Sequence, residues 1–323
     1  MGIILSEEHL KALYNDPASM DGLHAMIEEA LRTYQRGEVL TQERFQMPMV
    51  EPNRQLRLVT ATLPGAGEII RVNPQYRGAR DTHVNLLFDG KSGELLALVA
   101  GGELNVWRTG APAGLAARYL APRSAKILGL LGSSRQARGQ LTSISRAIPS
   151  LERVRVFSPT EEHRRGFAER MSSWLGIKVE AVNSAQAAIE GAQIVSLATN
   201  SRTPVLQPEW IVPGTLVISI TSGQLPAELV ARSRVIVTWK DELLKGSAPR
   251  EPYSTMIAAG NWSGEKIAAE FGDVILGKLP GRVSEKDTIV FESSGQPAWD
   301  AAAAAWAYRW ALERKAGKEF SLT

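Results

Sequence analysis

The chain has 323 residues, 44% of them apolar, enough for about two ordinary globular domains with buried cores. Lys plus Arg exceed Asp plus Glu by only 37 to 34, and neither sign gathers into a block, which argues against a nucleic-acid arm or an acidic tail. No cysteine occurs, so disulfides, thiol nucleophiles and Cys-ligated metal centres are excluded, and no apolar run reaches the roughly 20 residues of a membrane span.

At the N-terminus, the short apolar run of MGIILSEEHLKALY is followed at once by Ser6, Glu7 and Glu8, a helix-start pattern rather than a signal peptide. A cytoplasmic protein with no nucleic-acid or membrane partner is expected. Two amphipathic helices are predicted from Ser6 to about Arg36, and RLVTATL, IIRVNP, VNLLFDG and ELLALVAGG read as strands broken by Pro and Gly turns. Between Leu104 and Ala121 the pattern is helical, interrupted by Pro112, and a boundary is expected near residue 122. Then KILGLLG, VRVFS, IKVEAV, QIVSLAT, TLVISI and RVIVTW alternate with helices, the grammar of a parallel sheet covered on both faces. Residues 241–288 mix helix patterns with loops, and TIVFESSG leads into a long helix from Trp299 to Lys315. Its Trp299, Trp306 and Trp310 share one face and read as packing that returns the helix to the first domain. The expected fold class is α/β: an α+β domain over 1–122, a Rossmann-type doubly wound domain over 123–295, and residues 296–323 rejoining the first.

The stretch GLLGSSRQARGQL, Gly129 to Leu141, carries the chemistry. A dinucleotide fingerprint needs a glycine for the tight turn, a second where backbone meets pyrophosphate, and a small residue where helix meets strand. Here those positions hold Gly132, Ser134 and Ala137. Serine adds a β-carbon but also a hydroxyl, and the free amides at the helix start can still hold a phosphate. Alone the turn leaves an ordinary βα connection open; an apolar strand before it and a helix and VRVFS after it favour a cofactor site. At the end of VRVFS, Ser158 replaces the carboxylate that grips the adenine ribose of NAD, and Thr160, His163, Arg164 and Arg165 follow. Hydroxyls and cations there favour NADP over NAD.

Three stretches in order, ELNVWRTGAPAGLAARYLA, the Gly132 turn and AQIVSLATNSRTPVLQPEWIVPGTLVISI, together resemble the ornithine cyclodeaminase and mu-crystallin family. The likeness runs over nearly the whole chain through Arg108 to Ala111, Gly132 to Ala137, and Thr199 to Gly214. The resemblance implies a homodimer built through the N-terminal domain, NAD(P) in the Rossmann domain, and a small imino or amino acid substrate. Gly132, Ser133, Ser134, Arg135 and Gln136 would meet the pyrophosphate, Ser158, Thr160 and His163 the adenosine phosphate. Thr82, Arg108, Thr199, Thr221 and Ser222 complete the cofactor contacts it implies. Arg44, Arg71 and Arg108 match the family's carboxylate-binding cations, with arginine at 71 where lysine is usual. A guanidinium binds a carboxylate by two parallel hydrogen bonds but is a poor acid. Three arginines would suit a substrate with a second acidic group.

Arg71, Arg108 and Thr82 are the catalytic candidates, Thr82 positioning the nicotinamide. The resemblance also implies Ser294 and Gly295 as substrate contacts, though such a pair also fits a helix N-cap. His83 is a lesser candidate proton donor, since strand alternation puts it on the face opposite Thr82. Glu292, where the family often has lysine, would make this side of the pocket more acidic. No metal site is expected. Ser222 falls where cyclodeaminases carry their catalytic aspartate, and a serine hydroxyl cannot serve as a base at neutral pH. The expected activity is therefore reduction of the C=N bond of an α-imino acid, or its reverse. A cyclodeaminase with bound NAD, or a non-catalytic NADP- and ligand-binding protein of the mu-crystallin type, are the alternatives.

Overall fold

The computed structural model describes residues 2–41, 45–49, 54–76, 83–246 and 250–322. Contacts divide the chain into two units, Met1–Arg108 with Gln296–Thr323, and Thr109–Gly295.

In the first unit, β1 (Gly2–Leu5), α1 (Glu7–Leu13) and α2 (Ser19–Gln35) precede β2 (Leu40–Thr41), β3 (Phe45–Pro48), β4 (Arg54–Leu63), β5 (Gly67–Tyr76), β6 (Val84–Phe88) and β7 (Leu95–Ala100). Ser6 caps α1 as its sequence position suggests. Alternation along the strands sorts the sheet into two faces. One carries Val59, Ala61, Ile69, Leu87 and Val99, all buried, and with them Arg71, opposite Val59 and Asn85 in the ladder. The other carries Phe45, Met47 and Ile70, which are exposed. The helix α3 (Gly101–Leu120) follows directly on β7.

Pro112 does not interrupt α3, contrary to the sequence reading. A proline inside a helix forfeits one backbone hydrogen bond and strains the turn before it. Ser143 of the second unit's helix α4, described below, bonds two backbone groups on either side of the proline. The Gly114 N–H donates to Ser143 Oγ (3.1 Å), and that hydroxyl lies 3.3 Å from the Ala111 carbonyl, to which it donates. The end of α3 is thus tied into the second unit, and the division falls at Arg108/Thr109 rather than near residue 122.

The second unit runs β8 (Ile127–Leu131), α4 (Arg135–Ala147), β9 (Arg153–Phe157), α5 (Glu161–Leu175), β10 (Lys178–Ala181), α6 (Ala185–Ile189), β11 (Ile194–Leu197) and β12 (Leu216–Ser219). Then come α7 (Ala227–Arg232), β13 (Arg234–Val237), α8 (Lys240–Lys245), α9 (Tyr253–Ala258), β14 (Ile267–Glu270), α10 (Phe271–Ile275) and β15 (Ile289–Glu292). The strands β11, β12 and β15 are buried at every residue, as a sheet covered on both faces requires. All pairs are parallel, in the order β10-β9-β8-β11-β12-β15-β13-β14. The order reverses between β8 and β11, and the carboxyl ends of strands at such a point form the crevice where doubly wound sheets bind ligands.

The chain ends in α11 (Pro297–Arg314) and β16 (Lys318–Phe320), which belong to the first unit. Among the described residues the first sheet has the order β16-β1-β7-β6-β5-β4-β2, with β3 on β4. The helix α11 covers the buried sheet face and lies along α2. Trp299 is fully buried, and the Trp306 ring occupies the place of a side chain at Gly22, where a Cβ would lie 2.3 Å from it. Among the described residues no helix is long and apolar enough to cross a membrane.

Candidate active site

The reversal point of the second sheet is built from the Gly132 turn. The apolar strand β8 ends at Leu131, and Gly132 turns the chain with φ of 116°, a value that disfavours any side chain. A Cβ there would stand 2.3 Å from the carbonyl oxygen of Ala198, the residue after β11. Ser134 is the extended N-cap of α4, but its hydroxyl makes no capping bond and instead lies 3.4 Å from the Ala198 carbonyl. First-turn amides of a helix have no intrahelical acceptor, so α4 presents donors to an anion at this end. Ala137 is wholly buried beneath them.

A cavity of about 800 Å³ opens here, within the size range of cofactor sites. It is lined by Gly132, Ser133, Ser134 and Gln136 from the turn, Ser158, Thr160 and His163 beyond β9, and Thr199 and Thr221 beyond β11 and β12. The hydroxyls of Ser133 and Ser158 share a hydrogen bond of 2.8 Å that ties the two strand ends together. Arg135 begins α4 on an exposed position and does not line the cavity. Ser222 also stands outside the lining; its hydroxyl accepts the Glu251 N–H at 2.8 Å.

Two features of this pocket were not legible in the sequence. Gln224, fully buried, donates through Nε2 to both the carbonyl (2.7 Å) and the hydroxyl (2.8 Å) of Thr199, fixing the Thr199 loop. Arg164, read as a cation for a 2′-phosphate, is turned inward instead. Its guanidinium donates to the carbonyls of Ser158 and Pro159 and to Asn183 Oδ1, and sits over the Phe157 ring. Arg165 pairs with Glu161 at 2.8 Å, outside the lining. The polar side chains lining the cavity beyond β9 are thus Ser158, Thr160 and His163.

In the first unit, Arg71 of β5 and Arg108 of α3 converge on Asp300 of α11. The Arg71 Nη1 lies 3.2 Å from Asp300 Oδ1 and 3.4 Å from Oδ2, and the Arg108 Nε lies 3.0 Å from Oδ1. Arg108 also donates to Asn105 Oδ1 at 2.6 Å. All three charged side chains are nearly buried, with at most 12% exposed. The surface ion pair that would be the ordinary fate of such arginines does not describe this cluster. Among the described residues, the buried Arg71 Nε has no hydrogen-bond acceptor. Asp300 escaped the sequence reading, although an aspartate amid Trp299 and the run Ala301 to Ala305 is an ionisable group on an otherwise buried helix face, a signal of function. The buried His83 ring packs against Gly101 at the start of α3. Arg44 and Thr82 lie outside the described residues.

Ser294 and Gly295 are not the cap of the last helix: Gln296 is its N-cap and Pro297 its first residue. The Ser294 N–H donates to Thr238 Oγ1 at 3.0 Å within the second unit. Glu292, buried at the end of β15, does not acidify its surroundings as expected, because Arg250 is bound to it through Nε (2.8 Å) and Nη2. The same guanidinium holds the Ser293 carbonyl at 3.0 Å. Burial pushes the Glu292 carboxyl above the ordinary glutamate range; Arg250, with the Ser219 and Tyr253 hydroxyls, pulls it part of the way back. Among the described residues no group of three or more His, Asp or Glu side chains could hold a metal.

The model of the ornithine cyclodeaminase/mu-crystallin family matches residues 13–315. This chain belongs to that family. A curated relative from Bacillus cereus, a delta(1)-pyrroline-2-carboxylate reductase, is 27% identical over 98% of both chains. The mouse ketimine reductase mu-crystallin is 29% identical over 69% of this chain and 67% of its own length. Among solved structures, the Thermococcus litoralis delta(1)-pyrroline-2-carboxylate reductase in complex with NADH and L-proline matches with a TM-score of 0.88 and 28% identity, covering 98% of this chain and all of that one.

Proposed function

We propose that this chain is an NAD(P)H-dependent oxidoreductase of the family that reduces the C=N bond of an α-imino acid to an amine. The observation that carries the reading is the buried Arg71–Arg108 pair, whose Arg71 Nε awaits an acceptor among the described residues, in a family whose relatives are named imine reductases. A bound reduced nicotinamide supplies the hydride that the imine carbon receives. Arg71 and Arg108, with Arg44, hold the substrate carboxylate by charge-assisted hydrogen bonds and fix its orientation. Gly132, Ser133, Ser134 and Gln136 would hold the pyrophosphate at the start of α4, with Thr199 and Thr221 along the cofactor's path. The proton for the product nitrogen is the one a protonated imine already carries, so no strong acid is asked of a guanidinium.

Ser158 in place of a carboxylate, with Thr160 and His163 beside it, favours NADPH over NADH. A reducing cytoplasmic setting fits a chain without cysteine. The assay is a fluorescence titration with NADH and NADPH, followed by Δ1-pyrroline-2-carboxylate and acyclic imines formed from 2-oxo acids and ammonia. Tighter binding of NADPH and its consumption in step with amino acid formation are expected. Conversion of ornithine to proline and ammonia without net change in nicotinamide absorbance would replace this reading with cyclodeamination. Tight cofactor binding without turnover of either kind would leave a binding protein.

The homodimer is assigned to the other face of the first sheet, which carries exposed apolar side chains among the described residues. Phe45, Met47 and Ile70 are 54%, 46% and 37% exposed there, and adjacent apolar side chains of this kind mark an association surface. Sedimentation is expected to give a dimer, and Ile70→Glu a monomer. A wild-type monomer at micromolar concentration would remove the assignment.

A further inference from the structure

We infer that Gln224 is a positioning residue of the cofactor site: it holds the Thr199 hydroxyl as an obligate hydrogen-bond donor to the pyrophosphate of the bound dinucleotide. The inference rests on the reading of the Gly132 cavity as the dinucleotide site.

The partners of Thr199 force this polarity. A hydroxyl has one hydrogen to give and two lone pairs to fill. The Thr199 Oγ1 accepts from Gln224 Nε2 at 2.8 Å and from the Ser201 N–H at 3.0 Å. Neither bond can be reversed, since an amide nitrogen and a backbone N–H only donate. The side-chain amide cannot be turned round either: its Nε2 also lies 2.7 Å from the Thr199 carbonyl oxygen, which Oε1 in that place would repel. With both lone pairs filled, the hydrogen is all that the Thr199 hydroxyl has left to offer, and among the described residues it has no acceptor. Thr199 lines the cavity, so the ligand must bring the lone pair.

The place of Thr199 selects which ligand atom that is. It follows Ala198, whose carbonyl closes on Gly132, and a Cβ at Gly132 would stand 3.3 Å from the Thr199 nitrogen. The hydroxyl therefore belongs to the same pair of strand tips as the turn that takes the pyrophosphate. A ribose hydroxyl adapts to a donor or an acceptor, whereas an ionised phosphate takes donors alone. Fixing the hydroxyl beforehand removes the rotamers in which its lone pairs would face the phosphate, which is preorganisation. Gln224 is fully buried, and its Oε1 has no hydrogen-bond donor among the described residues. Burying an amide with its oxygen unpaired opposes folding, so packing does not account for glutamine here; the two donations to Thr199 do.

The test is calorimetric titration of wild type, Thr199→Val, Thr199→Ser, Gln224→Met and the Thr199→Val, Gln224→Met double variant with NADPH, NADH and ADP-ribose. Thr199→Val keeps the backbone carbonyl and nearly the same volume, and is expected to weaken all three ligands by one common factor of about ten- to a hundredfold, because all three carry the pyrophosphate. Thr199→Ser, which keeps the hydroxyl, is expected to stay within about threefold of wild type. Gln224→Met is expected to cost about three- to tenfold alone and less than about twofold once residue 199 is valine, since the two residues then act on one bond. Wild-type affinity in Thr199→Val overturns the inference, and that variant alters no fully buried side chain. An equal cost of Gln224→Met in both backgrounds overturns it as well, because the amide would then act on the Thr199 carbonyl and the loop rather than on the hydroxyl. Failure of the underlying cavity reading looks different: Gly132→Val and Thr199→Val would then both bind as wild type, whereas the inference alone fails when only Gly132→Val loses affinity.

Discussion

Gly132→Val is expected to weaken binding of both nicotinamide dinucleotides by about 100-fold or more, whereas Ser134→Gly changes it by no more than about threefold. The difference follows from where each residue stands. Gly132 has φ of 116°, and its missing Cβ is what lets the end of β8 pass within contact of the Ala198 carbonyl, 2.3 Å from where that carbon would be. Valine there needs both a strained backbone and a displaced β11 end, so the two strand tips that frame the crevice part. Loss of two or three pyrophosphate–amide hydrogen bonds at about 1–1.5 kcal/mol each accounts for the predicted factor. Ser134, by contrast, occupies an extended N-cap and makes only a long 3.4 Å contact to the same carbonyl, which a glycine at this position can forgo. Fluorescence titration of each variant, with circular dichroism to show that the protein remains folded, separates lost binding from lost structure. Wild-type affinity in folded Gly132→Val would mean that the cofactor site has been misplaced.

Much of the second unit could be read from the chain because its signals are local. Strands such as IVSL and LVIS are apolar at three of four positions without the alternation of a half-exposed strand, as a sheet covered on both faces requires, and the Gly132 turn is contiguous in sequence. Pro112 misled because packing, rather than the local sequence, decides whether a helix runs on through a proline, and nothing near α3 in sequence announces that Ser143 will bond its backbone there. The same holds for the site. Arg71 and Asp300 are 229 residues apart, and Thr199 and Gln224 are 25 apart, so each partnership exists only once the fold is closed. Arg164 shows the opposite error. A cation next to a phosphate site looked available, yet three backbone and side-chain acceptors and an aromatic ring claim it. Charge is visible in a sequence, but whether a charge is already satisfied is decided by packing.

That distinction sets the other large effect. Arg250→Met is expected to destabilise the protein by about 3–5 kcal/mol at neutral pH, because it leaves the buried Glu292 carboxylate without its cation. The pH dependence fixes the cause. Burial raises the folded-state pKa of Glu292, and the groups facing it are Arg250, which lowers it, and the hydroxyls of Ser219 and Tyr253, which also favour the charged form. Tyr253 itself is held well above its ordinary range by burial, and so stays neutral across the accessible window. A carboxyl whose folded pKa is raised contributes stability that is fully present below its unfolded value, roughly 4.3, and that is lost as pH rises through the folded value. Removing Arg250 raises the folded value further, so the variant loses more than wild type as pH climbs and less when Glu292 is protonated. Urea unfolding at pH 5 and pH 8 should therefore show a gap between wild type and Arg250→Met that is smaller at pH 5. Adding Glu292→Gln to the variant should recover most of the deficit at pH 8 while changing little at pH 5, since a neutral amide imitates the protonated acid. A gap that is independent of pH, or one that the second substitution fails to close, would mean that Arg250 acts through the Ser293 carbonyl and its packing rather than through the charge of Glu292.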